Sequence, residues 1–131
     1  IVRKLWQLNV IRFRFTEETR ILNFTFIFRE EQIMNASVAI QVLPTVTDED
    51  EVIRIVDEVI DYIKSTGLNY YVGPFETTIE GDYDQLMDIV KECQHVAERA
   101  GCKAMSVYVK IAYKPEGDVL TIEKKVTKHH Q

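Results

Sequence analysis

The stretch PFETTIEG at residues 74–81 sets Glu76, Thr78 and Glu80 on alternate positions, two carboxylates around a hydroxyl. Alternate side chains of an extended chain share one face, so these three stand together, opposite Phe75, Thr77 and Ile79. Carboxylates accept hydrogen bonds from an amino group or a protonated ring nitrogen, and a threonine hydroxyl both donates and accepts. Four residues apart on a strand, Glu76 and Glu80 are separated by roughly 13 Å, too far for a general acid and base working on one bond. They read as recognition groups or as solvated surface. The remaining reactive side chains form no nucleophile and base pair: His95 falls on a polar helix face, and His129 and His130 lie in the C-terminal tail. Cys93 and Cys102 have neither CxxC spacing nor a nearby histidine pair, so they are expected to be reduced and structural. No glycine-rich phosphate loop is present, since Gly73 and Gly81 flank the strand.

The elements that must position these groups follow from periodicity. Residues 36–43 alternate with Val38, Ile40 and Val42 on one face, a first strand ended by Pro44. Asp48 followed by Glu51 resembles a capping box and opens a helix with Val52, Val56, Val59 and Ile63, joined by Ile53, Ile55 and Ile60, as its apolar stripe. Gly67 provides a left-handed cap. Residues 68–72 form a second strand, which turns at Gly73-Pro74 into a third over 75–80, an antiparallel pair. Asp82 caps a second helix whose buried stripe is Leu86, Ile89, Val90, Cys93, Val96, Ala97 and Ala100, and Gly101 ends it. A fourth strand over 104–111 points Met105, Val107, Val109 and Ile111 inward. The final element over 120–126 is a short helix capped by Thr121. The order β-α-β-β-α-β with right-handed crossovers predicts an α+β, ferredoxin-like sandwich: a four-stranded antiparallel sheet, two helices on one face, and the other face bare in a monomer.

Composition excludes several classes. The chain has 131 residues, 46% hydrophobic and 28% charged, and a net charge of −5, which argues against nucleic-acid binding. No apolar run approaches the roughly 20 residues of a membrane span, and the basic, interrupted N-terminus is unlike a secretory signal. A cytoplasmic location is expected. Charge divides the chain near Met34: residues 1–33 hold six Arg or Lys against four Glu, and residues 34–131 hold ten against seventeen acidic residues. Two readings of residues 1–33 stand side by side. Residues 11–15 and 22–26 alternate around the polar Thr16 to Thr19, as in an aromatic-rich β-hairpin; alternatively, the segment is upstream sequence translated in frame, because Arg29-Glu30-Glu31 before Met34 matches a translated purine-rich ribosome-binding site. The domain expected to fold is residues 34–131.

With the apolar alternates turned to the helices, the open face carries Ser37, Ala39, Gln41 and Leu43, then Asn69 and Tyr71, then Glu76, Thr78 and Glu80, then Ser106, Tyr108 and Lys110. In ferredoxin-like order Gln41 has Thr78 or Glu80 on one side and Tyr108 or Lys110 on the other. Donors, acceptors and aromatic planes together suit a small, flat, polar heteroaromatic ligand. The candidate ligand-binding residues are Gln41, Tyr71, Thr78, Glu80, Ser106 and Lys110, with no catalytic residue, metal or cofactor. The alternative is a wet surface or subunit interface; Tyr71 and Tyr108 favour cover by another subunit and hence a homo-oligomer.

The GPxxTTIEG segment, the acidic-capped helix after it, Val109-Lys110-Ile111 and the LTxExKV tail at 120–126 resemble the thiamine-binding proteins of ferredoxin-like fold, over about Met34 to Lys128. The first strand, with Gln41 and Pro44, fits as well. The resemblance implies a dimer or tetramer that binds thiamine or its hydroxymethylpyrimidine moiety without catalysis. It also implies a start near Met34. This chain departs from that family after Lys110-Ile111, where Ala112-Tyr113-Lys114 stands in place of an acidic pair and an arginine. The competing function is a structural or regulatory oligomerisation module without a small-molecule ligand. If residues 1–33 are extraneous, intact-mass measurement of the native protein gives a chain starting at Met34; native peptides from 1–33 contradict that reading.

Overall fold

The computed structural model describes residues 32–130, and the hairpin expected over 11–26 lies outside them. The order is β1 (Ala36–Pro44), α1 (Glu49–Ser65), β2 (Asn69–Val72), β3 (Thr77–Gly81), α2 (Tyr83–Arg99), β4 (Met105–Tyr113), α3 (Ile122–Val126) and a 3-10 turn over Thr127–His129. The four strands form one antiparallel sheet in the order β2-β3-β1-β4. This is the expected ferredoxin-like α+β sandwich.

Helix starts and stops follow local chemistry. The Asp82 carboxylate accepts the Gln85 N–H at 3.1 Å, and the Asn35 side chain accepts the Tyr83 N–H at 2.8 Å, so two first-turn donors of α2 are satisfied. Asp48 caps α1 differently from the expected box: it accepts the Asp50 N–H at 3.0 Å, while Glu51 turns to an ion pair with Arg54. Arg54 also donates to the carbonyl of Ala100, which ties α1 to the end of α2. Gly67 follows α1 at φ 73°, a left-handed conformation that strains any residue with a Cβ.

The core lies between the sheet and the two long helices. Val38, Ile40 and Val42 of β1 and Ile79 of β3 meet Ile55, Val59 and Ile63 of α1 and Leu86, Ile89, Cys93 and Ala97 of α2, all buried. Three expected core residues are exposed. Ile53 is 57% exposed, because the α1 stripe is narrower than its run of apolar residues. Phe75 is 79% exposed: the Gly73 N–H donates to the Glu76 carbonyl at 2.9 Å and closes a turn, so β3 starts only at Thr77 and Phe75 sits at the loop tip. Ile111 faces the helix side opposite Val38 yet is 49% exposed, since α1 and α2 pack over β1, β2 and β3 and leave the β4 edge uncovered.

Both cysteines are buried and free, and the Cys102 thiol donates to the Ala104 carbonyl at 2.9 Å. Burial pushes the Cys93 thiol up to about 12. Its neutral form is therefore favoured by folding, a contribution fully present below the ordinary thiol range and lost as pH rises from about 9 towards 12. Accordingly, a thiol reagent at neutral pH leaves Cys93 unmodified in the native protein and modifies it after denaturation. Truncating the fully buried Ile79 to alanine is expected to lower unfolding stability by about 2–5 kcal/mol, read from denaturant melts.

Candidate functional site

Strand register converts the open face into rows of side chains. Across β2, β3, β1 and β4 the first row is Asn69, Glu80, Ser37 and Ala112, and the second is Tyr71, Thr78, Ala39 and Lys110. Gln41 then opposes Tyr108, and Leu43 opposes Ser106. Gln41 therefore has Tyr108 beside it as expected, whereas Thr78 and Glu80 face Ala39 and Ser37 rather than Gln41. Alternation specifies the face of each side chain but not how far one strand slides along its neighbour.

The face is not bare. After β4 the chain folds back past the start of β1, with Lys114 N–H on the Asn35 carbonyl at 2.8 Å and Val119 N–H on the Met34 carbonyl at 2.9 Å. It then lays α3 on the sheet. Thr121 caps α3 as expected, accepting the Lys124 N–H at 3.2 Å. Glu80 is only 2% exposed beneath this helix. One of its oxygens accepts from Asn69 Nδ2 at 2.6 Å, and the other accepts the Ile122 backbone N–H at 2.7 Å. A carboxylate removed from water at this depth requires such donors. The Tyr71 hydroxyl lies 3.0 Å from His130 Nε2, so His130 is engaged rather than free in a solvated tail.

The uncovered part of the face is bounded by a charged pair. Lys110 of β4 reaches over β1 to the Glu76 carboxylate at 2.5 Å, passing the small side chain of Ala39. Both ends of this pair meet solvent, which limits its strength to about 0–1 kcal/mol, weak enough for a ligand to displace. Thr78, half-buried in the middle of its row, lies between this pair and the Tyr71 end of the face. The structure thus gathers Tyr71, Thr78 and Lys110 in one row, with Glu80 one row away under α3 and Gln41 one row away on the other side. Ser106 stands apart: it is four residues from Lys110 along β4, about 13 Å by strand rise. Glu76 and His130 were absent from the predicted binding set. Alternation gave the face of Glu76, but its pairing with Lys110 needs the sheet order, and nothing local marks His130.

The match to known proteins covers the elements that build this face. Residues 38–130 match the family described as thiamine-binding protein. The chain belongs to that family. Its relatives include the UPF0045 protein of Clostridium perfringens strain 13, 43% identical over 93 residues, which are 71% of this chain and 95% of that protein. Among solved structures, a Thermotoga maritima protein for which a role in thiamine biosynthesis or salvage has been suggested is 37% identical, with a TM-score of 0.64 over 72% of this chain and 98% of its own. A Bacillus cereus domain of unknown function is 35% identical, with a TM-score of 0.64 over 73% and 90%. In this family member no helix among the described residues is long and apolar enough to cross a membrane, and no described cluster of His, Cys, Asp or Glu could hold a metal ion.

The Glu80 bonds carry a prediction. Replacing Glu80 with alanine leaves the Ile122 N–H unpaired and is expected to release α3, at about 1.5–3 kcal/mol for each charge-assisted bond lost. Hydrogen exchange at the Ile122 amide should accelerate markedly while the core of β1 stays protected. Unchanged exchange at Ile122 would contradict the docking role.

Proposed function

We propose that this protein binds thiamine or its aminopyrimidine moiety without catalysis, as a carrier, buffer or sensor, on the open sheet face beside α3 and within a homo-oligomer. The observation that carries the reading is the extent of the family match, which runs through all four strands and the C-terminal segment that together line the face. The chemistry of the face supports it. An aminopyrimidine offers ring-nitrogen acceptors, an exocyclic amino donor and a flat π surface; Thr78 and Gln41 each both donate and accept, and Tyr108 is 64% exposed beside Gln41. The Glu76 carboxylate can turn from Lys110 to an amino group or a cationic ring. Two buried free thiols accord with a reducing, cytoplasmic setting.

Isothermal titration with thiamine and with hydroxymethylpyrimidine tests the reading on the intact chain. Saturable binding is expected, weakened roughly tenfold by Thr78→Val, which keeps the side-chain shape and removes one hydrogen bond worth about 1–1.5 kcal/mol. Absence of heat with either compound, or wild-type affinity in Thr78→Val, contradicts it.

A further inference from the structure

We propose that the His130 imidazole is an internal surrogate ligand: it occupies the Tyr71 end of the open face and must leave before another flat nitrogen heterocycle settles on that tyrosine.

The C-terminal segment is held to the sheet at two points of unequal strength. At the first, the Ile122 N–H donates to the Glu80 carboxylate at 2.7 Å, with Ile122 6% and Glu80 2% exposed. This bond is charge-assisted and shielded from water, which makes it the durable one. Val126, four residues on and so on the same side of α3, is half-buried as well. From Thr127 to His130 every residue is exposed. Among the described residues, the hydrogen bond that ties this stretch to the sheet is the one between His130 Nε2 and the Tyr71 hydroxyl, 3.0 Å long and reached by solvent. Water competes for both partners, so this hold is the releasable one. The 3-10 turn over Thr127–His129 joins the two holds and adds little stiffness of its own. The hinge therefore lies after Val126, because Glu80 keeps α3 in place whether or not His130 lets go.

What His130 sets on Tyr71 has the chemistry the face is suited to receive. An imidazole is a small planar ring with two nitrogens, one a donor and the other an acceptor in its neutral form. Its centroid lies 5.6 Å from that of the Tyr71 ring with the planes tilted by 44°, a favourable spacing for an aromatic pair. Ring contact and an edge hydrogen bond are the two interactions by which a tyrosine takes up a flat nitrogen heterocycle, and His130 uses both. Tyr71 heads the row Tyr71, Thr78, Ala39 and Lys110, so while His130 is seated the row lacks its aromatic member. Occupation of Tyr71 by a ligand and by His130 are mutually exclusive, and the apparent affinity at this end falls with the fraction of time the tail is closed. That a thiamine-like molecule uses the row rests on the function proposed above; the occupancy of Tyr71 by an imidazole does not.

The test compares the full chain with H130A and with H129A, which removes the neighbouring imidazole as a control. The Tyr71 ring is followed by NMR in tyrosine-labelled protein, its signals assigned by their absence in Y71F. Free imidazole is the first probe. In H130A it is expected to shift the Tyr71 signals saturably; in the unmodified chain and in H129A the same shift should need roughly threefold to tenfold more imidazole, the factor that one exposed hydrogen bond imposes. No saturable shift in H130A, or equal shifts in H130A and the unmodified chain, overturns the proposal. Thiamine is the second probe, by calorimetry. H130A should bind it roughly threefold to tenfold more tightly than the unmodified chain, with H129A unchanged. Equal or weaker thiamine binding by H130A, or the same gain in H129A, overturns the proposal. Imidazole uptake at Tyr71 of H130A with no thiamine binding by any of these proteins supports the surrogate role and rejects the ligand reading alone.

Discussion

A carboxylate buried on the polar side of the sheet has to be satisfied, and most of what is distinctive about that side follows from it. Glu80 sits on an inner strand at 2% exposure. One oxygen is held by Asn69 from the neighbouring strand and the other by the Ile122 N–H at the first turn of α3. A side chain alone could not bring α3 across the sheet. The short helix has five residues, too few to be stable in isolation, so its place depends on packing, on the Thr121 cap and on this bond.

The docked C-terminal segment divides the open face. At its Glu80 end the polar groups are internally paired; towards Gln41 and Tyr108 they meet solvent. Small residues on β1, Ser37 and Ala39, separate the larger side chains of β3 and β4. Lys110 and Glu76 cross that gap as a solvent-exposed pair, a contact that holds the side chains loosely and leaves their charges available. The helix side is chemically different, an aliphatic layer in which burial raises the Cys93 thiol and favours its neutral form. The polar groups of the sheet are therefore gathered on one face by the same alternation that builds the core on the other.

Much of this was legible in the sequence. The 3.6-residue stripe of α2, the Asp82 cap, the Gly67 stop and the alternation of β1 are local signals, and each appears where local chemistry puts it. The polar inventory of the open face was also readable, because strand parity decides which side a residue takes. The rest depended on long-range contacts. Parity does not give register, so Gln41 lies a row away from Thr78. The turn closed by Gly73 and Glu76 shortens β3 and strands Phe75 in solvent. Ile111 has the right parity for the core, but it lies on a strand the helices do not reach. The return of the tail, with Ile122 on Glu80 and His130 on Tyr71, joins positions 42 and 59 residues apart, and no local pattern encodes it.

The central claim, that a thiamine-like molecule is held on the uncovered part of this face, is tested most directly by titrating the isotopically labelled protein with thiamine and following its backbone amide spectrum. Shifts are expected to concentrate at Ala39, Gln41, Thr78, Tyr108 and Lys110, with smaller ones at Ile122. Shifts confined to α1 and α2, or an unchanged spectrum at saturating thiamine, would contradict it.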